Sequence, residues 1–280
     1  MNKGNDEKKF YGMMNDYMFH LVLQESEKVL TGLVSALMDI PLEEIRQCRV
    51  ENPIDYGSSI EDKEIILDVR LSLNDDTNID IEVQVNKHKY WIERSLLYWA
   101  RTYGRLNTGE EYGKLKTTYH IGILQFTLFE DEPEFYAEYG LYNKKNGRQY
   151  TDKICIRTLD ITRPDLADDS QKEQNLLKWA NAFKAKTLPE LEKLCKGEEV
   201  LEEMAVIIKK LSEDEKIRMR CEAREDYDRW LRTQYCAGKE EGFDEGHQKG
   251  AEEERARSAA EIRRYQQEIA ELRKKLAERS

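Results

Sequence analysis

Apolar residues recur at helical spacing between Asn15 and Ile40, where Tyr17, Met18, Leu21, Val22, Leu33, Val34 and Leu37 fall on repeating i, i+3 and i+4 positions. This pattern predicts one or two helices, with Asp16 ahead of the first turn in a capping position. The period then changes to two. Ile65 to Leu73 and Asn78 to Val85 are short alternating runs, separated by the turn-forming cluster Asn74-Asp75-Asp76-Thr77, which predicts a hairpin. Helical spacing returns from Tyr90 to Leu106, where Trp91, Arg94, Leu97, Tyr98, Arg101 and Arg105 lie three or four residues apart. Thr118 to Phe129 reads as a buried strand, and Lys153 to Asp160, with Ile154, Ile156 and Leu159, as a further one. The expected order is helix, three-stranded meander, helix, strand, with extra strands at an edge.

From Lys172 onward the apolar residues group in helical sets, Leu176 to Phe183, Leu188 to Leu194 and Leu201 to Leu211, with Pro189 opening one helix and Gly197 following it. Gly238, Gly242, Gly246 and Gly250 recur every fourth residue, a stripe that permits close backbone approach. Ile262, Ile269 and Leu276 recur at seven, with Tyr265 and Leu272 between them, the seam of a short coiled coil. Three regions follow: residues 1–165 as the α/β core, 166–237 as an accessory helical region, and 238–280 as a Gly-periodic, heptad-patterned tail. The tail is expected to make the chain a homo-oligomer.

Composition changes this picture in two ways. With 36% charged and 39% apolar residues, the chain can build a core but also needs long exposed helices. It has no apolar run long enough to span a membrane and no apolar leader, which predicts a cytoplasmic protein. The 5 cysteines are scattered without a C-x-x-C pair and the 4 histidines are dispersed, against a disulfide framework or a zinc site. A net charge of −11 means that any contact with nucleic acid must come from a local basic patch.

Candidate chemistry lies in the hairpin. Glu82 and Gln84 share one strand face, about 7 Å apart, opposite Ile81, Val83 and Val85. Asp68 sits among Ile66, Leu67 and Val69, where an unpaired carboxylate is costly to bury. Two acids on neighbouring strands, bedded in apolar sequence, suit a hard divalent cation. Asp75, Asp76 and Asp80 read as solvated.

The order L-D-V-R, a spacer, I-D-I-E-V-Q, and then E-R-S-L-L-Y-W-A-R-T-Y resembles the PD-(D/E)xK nuclease family of transposases, the recombination-promoting nucleases. The similarity runs from the neighbourhood of Asn15 to Phe129. It implies a restriction-endonuclease-like core, a mixed sheet flanked by helices, and a metal-dependent DNA endonuclease associated with recombination or mobile elements. Carried over by position, Asp68 matches the motif's Asp, Glu82 its second acid, and Gln84 the place that many members give to Lys. Asp68 and Glu82, with the carbonyl of Val83, are then the expected ligands of Mg²⁺ or Mn²⁺, and the amide of Gln84 is expected to orient the attacking water. His20 stands where the family usually has Lys, and Thr117-Thr118 where it often has Pro-Val. Arg94 and Arg101 match family positions. Interleaved with Trp91, Tyr98 and Tyr103, they form either a phosphate clamp on DNA or the polar side of an amphipathic helix. A second function is a catalytically weak nuclease fold serving as a nucleic-acid or protein-binding module.

Overall fold

The computed structural model describes residues 9–54, 69–106, 109–170 and 176–277. Helix α1 (Asp16–Glu25) and helix α2 (Glu27–Met38) meet at Ser26, whose extended backbone ends the first and whose hydroxyl accepts from the Val29 amide to start the second. Asn15, rather than Asp16, caps α1 through an acceptor bond from the Met18 amide. Asp16, one residue inside, is left to pair with another element. A 3₁₀ turn (Leu42–Glu44) leads to strand β1 (Cys48–Val50), followed by β2 (Val69–Leu73) and β3 (Thr77–Gln84).

The β2–β3 turn is the one the Asn-Asp-Asp cluster predicts. Asn74 and Asp75 both have positive φ, at 50° and 61°, a region that Asn and Asp enter more readily than other side chains. Asn74 also fastens the entry to β1, since its Oδ1 accepts from the amides of Arg46 and Gln47 and its Nδ2 donates to the Glu44 carbonyl.

Helix α3 (Trp91–Tyr103) carries the chain over to β4 (Thr117–Leu124), which lies parallel to β3, and β5 (Tyr136–Tyr142) and β6 (Gln149–Asp160) complete a six-stranded sheet. The sheet order is β1-β2-β3-β4-β6-β5. β1 to β3 form an antiparallel meander, β6 runs parallel to β4, and β5 closes the far edge antiparallel to β6. This is the mixed α/β arrangement expected from the sequence.

One face of the sheet, carrying Leu71, Ile79, Ile81, Ile121, Ile123 and Leu159, is fully buried in a core shared with α1 and α2. The same core takes in helices α4 (Leu176–Phe183), α5 (Leu188–Cys195) and α6 (Glu199–Glu213), and the start of α7 (Glu215–Ala277) through Ile217 and Cys221. Arg157 of β6 reaches this layer to donate to the Leu37 carbonyl at 2.8 Å, satisfying an acceptor left open in the last turn of α2. Arg224 of α7 grips Asp16 of α1 with both Nε and Nη2, the latter at 2.6 Å, with the side chains 8% and 14% exposed. Arg220 donates to the Tyr17 hydroxyl and Asn15 to the Cys221 carbonyl. The chain forms two compact units, Met1–Glu225 and Asp226–Ser280. Among the described residues no helix is long and apolar enough to cross a membrane.

His20 is buried within α1, and burial pushes its imidazole down to about 4, against the opposing pull of the Asn52 backbone and Asp16. Below pH 6.5 the unfolded chain takes up a proton that the folded chain refuses. Stability from this residue is therefore complete above about 6.5 and drains away as pH falls toward 4, by about 2 kcal/mol between pH 7.5 and pH 5. Urea unfolding of His20→Phe at the two pH values should show a correspondingly smaller difference than wild type, and an unchanged difference would refute the assignment.

Candidate active site

Strand β3 alternates Ile79, Asp80, Ile81, Glu82, Val83, Gln84. Its odd residues enter the core and its even residues face α3. Both faces are covered, so every residue from Ile79 to Val83 is buried. Asp80 is 0% exposed and Glu82 2%. Asp80, read from sequence as solvated, is therefore a buried acid, because α3 closes the face that an open hairpin would leave to water.

Parallel pairing sets Asp80 beside His120 and Glu82 beside Gly122 on β4. His120 Nδ1 lies 3.0 Å from Asp80 Oδ2, and His120 Nε2 lies 4.0 Å from Glu82 Oε2. A carboxylate at Nδ1 holds the proton there and orients the ring, directing the other nitrogen toward Glu82. Trp91 and Tyr98 enclose the imidazole, with ring centroids 6.1 and 6.4 Å away. The close approach depends on Gly122, since a Cβ there would run into the six-membered ring of Trp91, itself buried.

From α3 above, Arg94 places Nη2 against both Glu82 Oε1 and Gln84 Oε1, while Gln84 Nε2 donates to the Asn86 carbonyl at 3.0 Å. Burial raises the Glu82 carboxyl above its ordinary range, Arg94 and then His120 draw it back down, and Asp80 adds to the rise. Five buried polar atoms in this layer have no hydrogen-bond partner among the described residues, the acceptors Glu82 Oε2, Asp80 Oδ1 and His120 Nε2 and the donors Trp91 Nε1 and Arg94 Nε. Sealed acceptors without partners are costly unless a proton, water or cation meets them.

Of the residues singled out by sequence, the fold brings together Glu82, Gln84 and Arg94. Asp68 lies outside the described residues. The Val83 side chain points into the core, 7% exposed. Arg101 lies exposed two turns beyond Arg94. The buried positions on α3 are Trp91, Ser95 and Thr102, while Leu97 is 48% exposed. The expected side of the helix thus includes outward positions: the inner stripe runs 91, 95, 98 and 102. Both ends of the Gln84 amide are engaged, its Oε1 by Arg94 and its Nε2 by the Asn86 carbonyl. His120 was not singled out from sequence. The period-two rule carries its signal, for Asp80 shares the face of Glu82, and a histidine alternating with Thr118 and Gly122 on the neighbouring buried strand would face it.

A model of the PD-(D/E)XK nuclease family transposases matches residues 13–234. The chain belongs to that family. No curated protein and no solved structure matches it. The family's nucleases typically use divalent metals. Among the described residues no group of three or more His, Cys, Asp and Glu side chains could hold a metal ion. The open Glu82 Oε2 fits a single oxygen ligand to a hard cation.

Gly122→Ala should lower stability by about 1–3 kcal/mol, because the added methyl overlaps the ring of the buried Trp91 and forces it or α3 to shift. The urea midpoint measures this. A midpoint equal to wild type would mean that α3 does not seat on β4 through this contact.

Proposed function

We propose that the protein is a metal-dependent endonuclease that hydrolyses DNA phosphodiesters, in the service of recombination or a mobile element. The observation that carries this is the Glu82 carboxylate, sealed in the sheet with one oxygen held by Arg94 and the other unpartnered among the described residues, in a chain matched to a nuclease family along most of its length. Glu82 Oε2, a carboxylate oxygen of Asp68 and the Val83 carbonyl are the groups that would hold Mg²⁺ or Mn²⁺. Such an ion, once bound, supplies polarisation of a phosphoryl oxygen and a lowered pKa for the attacking water.

The chain's own residues do the rest. His120, braced by Asp80, sets its Nε2 4.0 Å from the open oxygen of Glu82, and Arg94 holds the other oxygen. Trp91 and Tyr98 keep bulk water from the layer, which strengthens its charge interactions. Arg101, exposed on α3, is available to a DNA phosphate. Ile262, Tyr265 and Ile269 of α7 are 57%, 61% and 50% exposed in the single chain, which supports self-association along that seam into a homo-oligomer.

Purified protein should nick supercoiled plasmid with Mg²⁺ or Mn²⁺ and not with a chelator, and Asp68→Ala or Glu82→Ala should lower the rate at least about 100-fold while leaving the circular dichroism spectrum unchanged. Cleavage that survives both substitutions refutes the site. Absence of cleavage by folded protein with either ion transfers the assignment to a nucleic-acid or protein-binding module, whose binding both substitutions would leave intact. Truncation after Gln234 should reduce the sedimentation coefficient to that of a monomer with nicking retained, and an oligomer that persists refutes the tail as its cause.

A further inference from the structure

We propose that Arg94 supplies the fixed positive charge that a lysine at position 84 would bring to this site, and that Gln84 is the residue that positions it. The inference rests on the nuclease reading and gives Arg94 a role at the reacting phosphate that Asp68, Glu82 and Gln84 do not fill.

Three observations combine. First, the Arg94 guanidinium comes from α3, yet its Nη2 reaches both the acid and the neutral residue of the E-x-Q pair, donating to Glu82 Oε1 and Gln84 Oε1. Second, both ends of the Gln84 amide are engaged, since its Nε2 donates to the Asn86 carbonyl at 3.0 Å. An amide so held is a bracket for a cation rather than a handle for water. Third, the guanidinium is largely sequestered, with the side chain 24% exposed, the Tyr98 ring 6.0 Å from its centre, and a buried Nε–H that has no partner among the described residues. A group fixed in this way acts without reorganising when charge develops on a phosphoryl oxygen. Arginine keeps its charge at any working pH, and its planar fork can serve two acceptors and still present further donors.

The same geometry accounts for Gln at position 84. An ammonium there would face the guanidinium as a like charge, whereas a carbonyl oxygen accepts from it. Arg94 and Gln84 thus form one unit, and a lysine at position 84 in the absence of the guanidinium would be its equivalent. That equivalence makes a reciprocal test possible.

Single-turnover plasmid cleavage, DNA affinity in chelator and thermal unfolding are measured for wild type, Arg94→Ala, Gln84→Lys and the double variant. Arg94→Ala should cut the cleavage rate about 100-fold or more, with DNA affinity within threefold of wild type. Gln84→Lys alone should be impaired in both rate and melting temperature. Gln84→Lys combined with Arg94→Ala should recover at least tenfold over Arg94→Ala, a coupling that independent sites do not show. If Arg94→Ala fails to fold, Arg94→Gln, which keeps a polar partner for Glu82, carries the same expectations. A loss that appears in affinity rather than rate would make Arg94 a DNA-binding cation and overturn the inference, as would a double variant no faster than Arg94→Ala. Either result leaves the nuclease reading standing if wild type cleaves. Wild type that never cleaves overturns both.

Discussion

The constraint on which the rest of the molecule depends is that β3 is covered on both faces. Ile79, Ile81 and Val83 fill the core against α1 and α2, and α3 lies over Asp80, Glu82 and Gln84. Acids on an open hairpin would need nothing beyond water. Under a helix they must find protons, cations or donors in fixed places, because an unpaired buried charge costs several kcal/mol. His120 and Arg94 are the groups that the neighbouring elements supply. The polar layer follows from the coverage, and its composition from the crossover that puts α3 between β3 and the parallel β4.

That layer is asymmetric. On the Asp80 side it is closed, with a carboxylate, an imidazole and two aromatic rings packed together at hydrogen-bond and van der Waals distances. Toward Gln84 it becomes more accessible, since Gln84 and Arg94 are only half-buried. Glu82 stands at the transition, with one oxygen committed and one open. A side chain held in this way is rigid yet chemically unsatisfied, the state that lets a carboxylate take a ligand without rearranging.

The first helix is fixed from far along the chain. Asp16 and Arg224 are 208 residues apart in sequence and form a nearly buried two-pronged ion pair. Removing either partner would strand the other charge, so α1 and the opening turns of α7 depend on each other. The helices between them share one core with the sheet, and the strand that carries Glu82 rests on that core. The helical half therefore supports the site even where it contributes no group to it.

Much of this was legible in the sequence. Periods of 3.6 and 2 mark α1, α2, the β2–β3 hairpin, α3 and β4, and the Asn-Asp-Asp turn announces its own left-handed residues, because these are local properties of backbone and side chain. Glu82 and Gln84 were legible as a pair for the same reason, since alternation alone places them on one face. The chain could not show by itself what lies across from that face. Whether Asp80 meets water or an imidazole depends on which strand pairs with β3 and in what register. Whether Gln84 orients water or holds a guanidinium depends on how α3 is turned above it. Asp16 could be placed near a helix start from sequence, but not against Arg224. Secondary structure and the shared face of Glu82 and Gln84 were determined by short-range pattern, whereas their partners, their burial and the charge around them were decided by contacts between residues far apart in the chain, which only the folded sheet and its covering helix bring together.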